Sequence, residues 1–272
     1  MLAPMHNDVK GGSRAAADVD ARRMYERVEH DGVIDDVAIE EPLEIRVDGR
    51  ALAVTMRTPG ADDELALGFL YGEGLIDRPH RAEPPPDLAV NTIEVDGPLL
   101  RDPGERRFYT TSSCGVCGKG ALEEVAVHSV PPSAGPVVGR ALLAELPDRL
   151  RQPAFELTGG LHATGLFDKG GRLLMAREDV GRHNAMDKVV GRALLDGLVP
   201  LAGRILCVSG RLGFELAQKA AVAGAPILVG VGAPSSLAVE LARDRGMTLC
   251  GFAREGRVNV YSGAERVRQV AG

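Results

Sequence analysis

The sequence predicts an α/β protein: a larger C-terminal α/β domain with a mostly parallel sheet, preceded by a smaller N-terminal β-containing domain. Three observations carry this expectation. After Arg204, short unbroken apolar runs (Ile205 to Val208, Ile227 to Val231, Met247 to Phe252) alternate with helical stretches, the pattern of strands covered on both faces by helices. Earlier, Val37 to Val47 and Arg50 to Met56 read as extended runs joined by Asp48-Gly49, whose tolerance of positive φ suits a tight hairpin. Between these halves the Pro/Gly cluster Pro131 to Pro136 marks a boundary, giving domains 31–135 and 136–272.

Residues 1–30 mix Ala, Gly, Asp and Arg with no sustained apolar period and read as a poorly ordered lead-in. After the hairpin, Pro59-Gly60 breaks the chain, and Asp62, Asp63 and Glu64 put negative charge where a helix presents unpaired N–H groups, predicting a helix to about Tyr71. The proline-rich stretch Arg78 to Asp87 reads as a loop, and Asn91 to Val95 and Arg106 to Thr111 as strands. In the second half, Arg172 to Ala176 reads as extended, Gly213 to Ala223 and Ser236 to Arg245 as helices, and Val258 to Tyr261 as a last strand.

Composition narrows the function classes. The 272 residues are 44% apolar and 26% charged, enough for a sizeable core. A net charge of −6 without a dense basic run argues against nucleic-acid binding. No run approaches the roughly 18 apolar residues that span a bilayer, and the N-terminus lacks the apolar core of a signal peptide, so a cytoplasmic protein away from membranes is expected. Four cysteines are too few for a disulfide scaffold.

Two of them, Cys114 and Cys117, form a C-x-x-C pair in the Gly- and hydroxyl-rich stretch Thr110 to Gly120. Sulfur transfer needs a reachable thiolate, which nearby N–H groups or Lys119 would favour. Structural zinc lacks a second C-x-x-C, and a thioredoxin-like redox pair lacks both Trp and a surrounding βαβ pattern. No metal site is expected, and Cys207 and Cys250 read as small core hydrophobes.

A charged signature runs from Arg177 to Lys188 and reads as a strand-to-helix junction. Met186, Val189, Val190, Ala193 and Leu194 recur at helical spacing and should face the core, leaving His183 with Asp187, and Asn184 with Lys188, paired at i, i+4. Such a helix N-terminus can bind phosphate or a pterin. Equally, Glu178 and Asp179 can cap it while Arg182 and His183 sit in solvent. His162 lacks the Glu two residues on that a zinc deaminase needs, and an ordinary loop histidine is the other reading. Finally, Ser209-Gly210-Arg211, Gly232 to Ser236 and Phe252 to Arg257 each follow a predicted strand. Loops at the carboxyl ends of parallel strands share ligand sites, and Arg211, Arg254 and Arg257 could grip phosphates.

Taken in order, Glu41-Pro42-Leu43, Arg57-Thr58-Pro59-Gly60, Ser113 to Gly118, Thr158 to His162, Glu178 to Asn184, Ser209-Gly210-Arg211, Ala233 to Ser236 and Gly246 to Leu249 resemble the formate dehydrogenase accessory sulfurtransferase family. The resemblance implies a C-terminal domain similar to cytidine deaminase without its zinc. It implies a sulfur carrier that takes persulfide sulfur from a cysteine desulfurase on Cys114 or Cys117. The acceptor would be molybdenum held by two molybdopterin guanine dinucleotides, destined for the formate dehydrogenase catalytic subunit. It further implies a homodimer whose nucleotide site, open to guanine nucleotides as partial mimics, uses Phe252, Ala253, Arg254, Glu255, Gly256 and Arg257, supported by Ser209, Gly210, Arg211, Ser235 and His183. A cofactor chaperone that transfers no sulfur, and a thiol redox switch, are the alternatives.

Overall fold

The computed structural model describes residues 24–86, 91–102, 108–109 and 135–268. Cys114, Cys117 and most of the expected boundary Pro131 to Pro136 lie outside these residues. The chain opens with a hairpin, β1 (Tyr25–His30) and β2 (Val33–Ala38), turning at Asp31 and Gly32 with φ of 49° and 77°. The reading of residues up to 30 as a lead-in is therefore corrected: β1 is exposed along nearly all its length, so no apolar alternation marked it. The run expected from Val37 likewise breaks, and β3 begins at Glu41.

β3 (Glu41–Val47) and β4 (Arg50–Arg57) form the expected hairpin, with Asp48 and Gly49 at φ of 46° and 76°. With β5 (Ala82–Glu83), β6 (Thr92–Val95) and β7 (Phe108–Tyr109) they make a five-stranded sheet ordered β5-β6-β3-β4-β7. Helix α1 (Asp62–Gly72) covers it, burying Leu65, Phe69 and Leu70 among Leu43, Ile45, Ile93 and Val95. Removing each such side chain from water contributes about 1.5–3 kcal/mol.

The second half begins with β8 (Val138–Gly139), α2 (Arg140–Glu145) and α3 (Pro153–Thr158). Its six-stranded sheet combines β9 (His162–Asp168), β10 (Leu173–Asp179), β11 (Arg204–Val208), β12 (Ile227–Gly230), β13 (Thr248–Arg254) and β14 (Arg257–Ser262), ordered β10-β9-β11-β12-β13-β14. The sheet is mixed, which corrects the expectation of a mostly parallel one. Only β11, β12 and β13 run parallel, through helical crossovers α5 (Phe214–Val222) and α6 (Ser236–Asp244); β10-β9, β9-β11 and β13-β14 are antiparallel. Short turns at Asp168 to Arg172 and at Glu255-Gly256 reverse the chain where a parallel neighbour would need a long crossover. Strand β9 is not among the strands expected from the sequence, because its Thr and Gly residues hide its period. Leu150, Phe167 and Leu173 crowd so close to Gly165 that a Cβ there would lie 2.6–3.1 Å from them.

Helices α4 (Arg182–Leu195), α5 and α6 cover one face of this sheet, and α2 the other. Cys207 and Cys250 are fully buried in the α2-side core, as expected, and burial raises both thiols, Cys250 to about 12. Among the described residues no helix is long and apolar enough to cross a membrane.

The halves meet where α1 crosses α4. A Cβ on Gly68 would lie 1.9 Å from the Asp187 carbonyl oxygen, and one on Gly191 1.8 Å from that of Glu64, so the helices touch backbone to backbone. Beside the crossing, Arg177 donates two hydrogen bonds to buried Glu64 at 2.6 and 2.7 Å.

This crossing overturns the expected pairs along α4. Its polar face is covered rather than solvated, and each residue finds its partner elsewhere: His183 with Glu215 (2.9 Å), Asp187 with Lys219 (2.8 Å) and Lys188 with Asp179 (2.7 Å). The core-facing set Met186, Val189, Val190, Ala193 and Leu194 is buried as predicted.

Candidate functional site

One end of the six-stranded sheet gathers the turns singled out in the sequence. Strands β11, β12 and β13 finish there, β10 runs into α4, and β9 begins. Backbone hydrogen bonds stitch the turns together: Gly232 N–H donates to Gly210 O (3.0 Å), Leu212 to Ala233 (3.0 Å), Ser235 to Leu212 (2.9 Å) and Phe252 to Gly232 (3.1 Å). The approach is close enough that a Cβ on Gly232 would sit 3.0 Å from Arg211 Cα, and one on Gly251 3.0 Å from Gly232 O.

The serines are partly committed. Ser209 Oγ accepts from Ala163 N–H (2.9 Å), and Ser235 Oγ caps α6 by accepting from Ala238 N–H (3.2 Å), so the plain capping role does hold for Ser235. Phe252 sits at a β-bulge with φ 53° and is 37% exposed, which leaves its ring on the surface beside the turns. Ala253 is fully buried in the α2-side core and offers a ligand no side-chain contact. Arg254, Glu255, Gly256 and Arg257 form the exposed tip of the β13–β14 hairpin, with Glu255 and Gly256 at φ 51° and 71°.

Cations surround this end. Helix α4 carries no acidic residue in its first turn but has Arg182 and His183 there, where the helix dipole already disfavours positive charge. Among the described residues, Arg182 Nε is buried without a hydrogen-bond partner. His183 Nε2 lies 2.9 Å from Glu215 Oε2, and the hydrogen bond from His183 holds Glu215 below its ordinary range. His162 is half-buried, and its ring faces Gly210, where a Cβ would lie 3.4 Å from Nδ1. Burial lowers its pKa first, and the charges of Arg182, His183 and Arg211 lower it further. His162 is thus neutral at pH 7 beside the guanidinium groups of Arg182 and Arg211, an arrangement that a phosphate or other anion would stabilise.

The structure therefore brings Ser209, Gly210, Arg211, Ser235, His183 and Phe252 to one sheet end and adds His162 and Arg182 to them. Glu215 escaped the sequence reading. Its link to His183 crosses from α5 to α4, and no local spacing signals it. The described residues leave the placement of Cys114 and Cys117 open.

The opposite end of the sheet holds a cleft of about 530 Å³ lined by Asp168, Arg172, Asp196, Leu198 and Arg204 among others. Its charges are largely spent on each other: Arg172 pairs with Asp168, Asp196 with Arg192, and Arg204 donates to the carbonyls of Leu198 and Ala202.

Similarity to known proteins agrees with the sequence motifs. The model of the FdhD/NarQ family matches residues 38–268. The sulfur carrier protein FdhD of Streptomyces coelicolor is 50% identical over 271 residues, covering 92% of this chain and 96% of the relative. The sulfur carrier protein FdhD of Anaeromyxobacter dehalogenans is 46% identical, covering 93% and 96%. A crystal structure of a candidate formate dehydrogenase accessory protein from Desulfotalea psychrophila superposes with a TM-score of 0.72 at 28% identity, covering 90% of this chain and 98% of that one. With the motifs, the fold and near-complete relatives in agreement, the chain belongs to the FdhD/NarQ family.

Proposed function

We propose that this protein is a cytoplasmic, homodimeric sulfurtransferase that carries sulfur as a cysteine persulfide to the bis-molybdopterin guanine dinucleotide form of the molybdenum cofactor before its insertion into formate dehydrogenase. The observation that carries the reading is the sheet end where Arg182, His183 and Arg211 converge on glycine-rich turns beside a neutral His162. That end suits the diphosphates of the cargo, with Phe252 available to a base. Likeness of the mixed sheet to cytidine deaminase belongs to the same proposal.

The chemistry divides into two balanced steps. The Cys114 thiolate attacks the outer sulfur of the desulfurase persulfide; the new S–S bond forms on Cys114 as the old one breaks, and the desulfurase thiolate leaves. The Cys117 thiolate then attacks Cys114 Sγ, forming a Cys114–Cys117 disulfide and expelling hydrosulfide. The two thiols supply the two electrons that turn sulfane sulfur into sulfide. The metal of the cargo would take up this sulfide in place of an oxo ligand that leaves as hydroxide, with no change of oxidation state, and a cellular dithiol reductant resets the pair.

Intact-protein mass spectrometry after incubation with a cysteine desulfurase and cysteine tests the proposal. Wild type should gain one reducible sulfur, Cys114→Ala should not, and both should bind GDP. No gain with an active desulfurase would leave a cofactor chaperone in its place.

A further inference from the structure

The arm made by β1 and β2 has no part in the chemistry above, yet apolar surface is concentrated on it. Of the twelve large apolar side chains that stand exposed among the described residues, four belong to the arm (Val28, Val33, Ile34 and Val37) and two to α3, the helix that packs against β2 (Phe155 and Leu157). The register sets Val28 opposite Asp35, so Val28 lies diagonally between Val33 and Val37, and the three make one stripe. That stripe faces outward, because Tyr25, Asp36 and Ala38 on the other face are the partly buried ones. Lone exposed apolar residues are ordinary, but a patch of them with a polar rim marks a contact surface.

The arm's charge says what kind of surface would fit it. Residues 24–40 hold six carboxylates and one guanidinium, and that guanidinium, Arg27, lies 3.6 Å from Asp36. This stretch accounts for most of the chain's net charge of −6. Two such arms meeting across a two-fold axis would bring like charges together. A basic surface with apolar residues at its centre complements both features.

Position says which partner would bring that surface. The arm is fixed at its base: Ile39 N–H donates to Met24 O at 2.9 Å, and Thr58 Oγ1, which accepts from Val180 N–H at 3.1 Å, donates to Ile39 O at 3.0 Å. Glu178 accepts from the N–H groups of Ala154 and Phe155 at 3.1 and 2.8 Å, which ties α3 to β10, and a Cβ on Gly160 would lie 3.3 Å from Ala38 Cβ. Val180 and Gly160 stand two residues before Arg182 and His162 respectively, so the arm rises from the rim of the cationic sheet end. A protein that takes cargo directly from that end must lie against its rim. The family model matches from residue 38, which leaves β1 and most of β2 outside the matched stretch, as suits an element fitted to one recipient rather than to the shared cargo.

We propose that the arm, with α3, is the docking surface for the recipient of the cargo, a protein that presents basic residues around an apolar patch. Under the proposed function this recipient is the formate dehydrogenase catalytic subunit, and the inference rests on that reading of the sheet end.

Two surface variants of the full-length protein test it. Val33→Thr/Ile34→Thr removes apolar area while keeping branched, strand-favouring side chains, and Glu29→Lys/Asp35→Lys reverses charge. Each is assayed for affinity to the purified formate dehydrogenase catalytic subunit of the same organism by interferometry across a salt series, for GDP affinity, for dimer mass by light scattering, and for sulfur loading by the desulfurase. Wild-type affinity for the subunit should fall as salt rises. The apolar pair should weaken it about fivefold to tenfold, and the charge pair about tenfold with a flatter salt dependence. GDP affinity and loading should stay within about twofold of wild type, the ordinary scale of surface substitutions, with the oligomeric mass unchanged. Wild-type affinity for the subunit in both variants would overturn the inference. So would loss of the dimer, which would make a second copy the occupant, or slower loading, which would make it the desulfurase. If wild type binds GDP and loads sulfur yet has no measurable affinity for the subunit, this inference falls alone; if it does neither, the sulfur-carrier reading fails first and takes this inference with it.

Discussion

Successive turns of α4 carry similar residues to opposite ends. In the first turn, Arg182 and His183 remain near the surface at the positive end of the helix dipole, and Arg182 enters no ion pair among the described residues. One turn later, Asp187 and Lys188 are 2% exposed and each is matched to one opposite charge, Lys219 or Asp179. A sealed charge has to be paired, so its presence reports on the fold. A cation held where the dipole opposes it is offset by no acidic residue in the same turn, and under the proposed function the anionic cargo would offset it.

Experiments can break this contrast. The largest effect belongs to the buried turn: Lys188→Met strands the Asp179 carboxylate and should cost about 3–5 kcal/mol in urea titration, most of it recovered on adding Asp179→Asn. Next comes Asp187, which burial raises to about 6 despite Lys219. Because the folded value lies above the unfolded 3.8, this group's contribution is full below pH 3.8 and is lost as pH rises through 6. On acidification from pH 7 to 4, wild type should therefore gain on Asp187→Asn by roughly 2–3 kcal/mol; parallel stability curves would refute the buried, ionised carboxylate.

The open turn should respond in binding instead. Arg182→Ala is expected to weaken GDP about tenfold to a hundredfold, the loss of a hydrogen bond to a charged group, with little change in melting temperature. His162→Gln should do less. Burial lowers His162 first and nearby cations lower it further; a bound phosphate would offset the cations' share, so binding takes up part of a proton and wild-type affinity rises a few-fold as pH falls from 7 to 5.5, a component the variant should lack. At the far cleft, Arg172→Ala should leave GDP affinity unchanged. A loss there comparable to Arg182→Ala would mean that paired charge does not mark the idle end.

Which parts of this were readable in the sequence follows from where each residue's partner lies. Asp48-Gly49 and the rhythm after Arg204 are local signals, and both became the elements they predict. Asp31-Gly32 is the same turn signal as Asp48-Gly49, but β1 and β2 bury almost nothing, so the dipeptide lacked flanking alternation. The turns after β11 and β12 converge as their shared position after strands suggested, but of the third only Phe252 joins them, Ala253 being buried and Arg254 to Arg257 forming the β13–β14 hairpin tip. Arg182 was visible only as a choice between solvent and ligand, and Lys188 was assigned to the wrong partner. Its real contacts are Asp179, at the end of the strand before the helix, and Thr58, 130 residues away. No spacing along one helix encodes either. The C-x-x-C pair is the reverse case, evident in sequence and outside the described residues.

The contact of Gly68 with Gly191 has a mechanical consequence. Most helix pairs are spaced by side chains, which can change rotamer and let the axes drift. Here peptide groups meet directly, so the gauge between the two sheets has no rotating parts. Its tolerance is that of van der Waals contact between backbones, and heat or a crowded neighbour has no soft group at that point to compress.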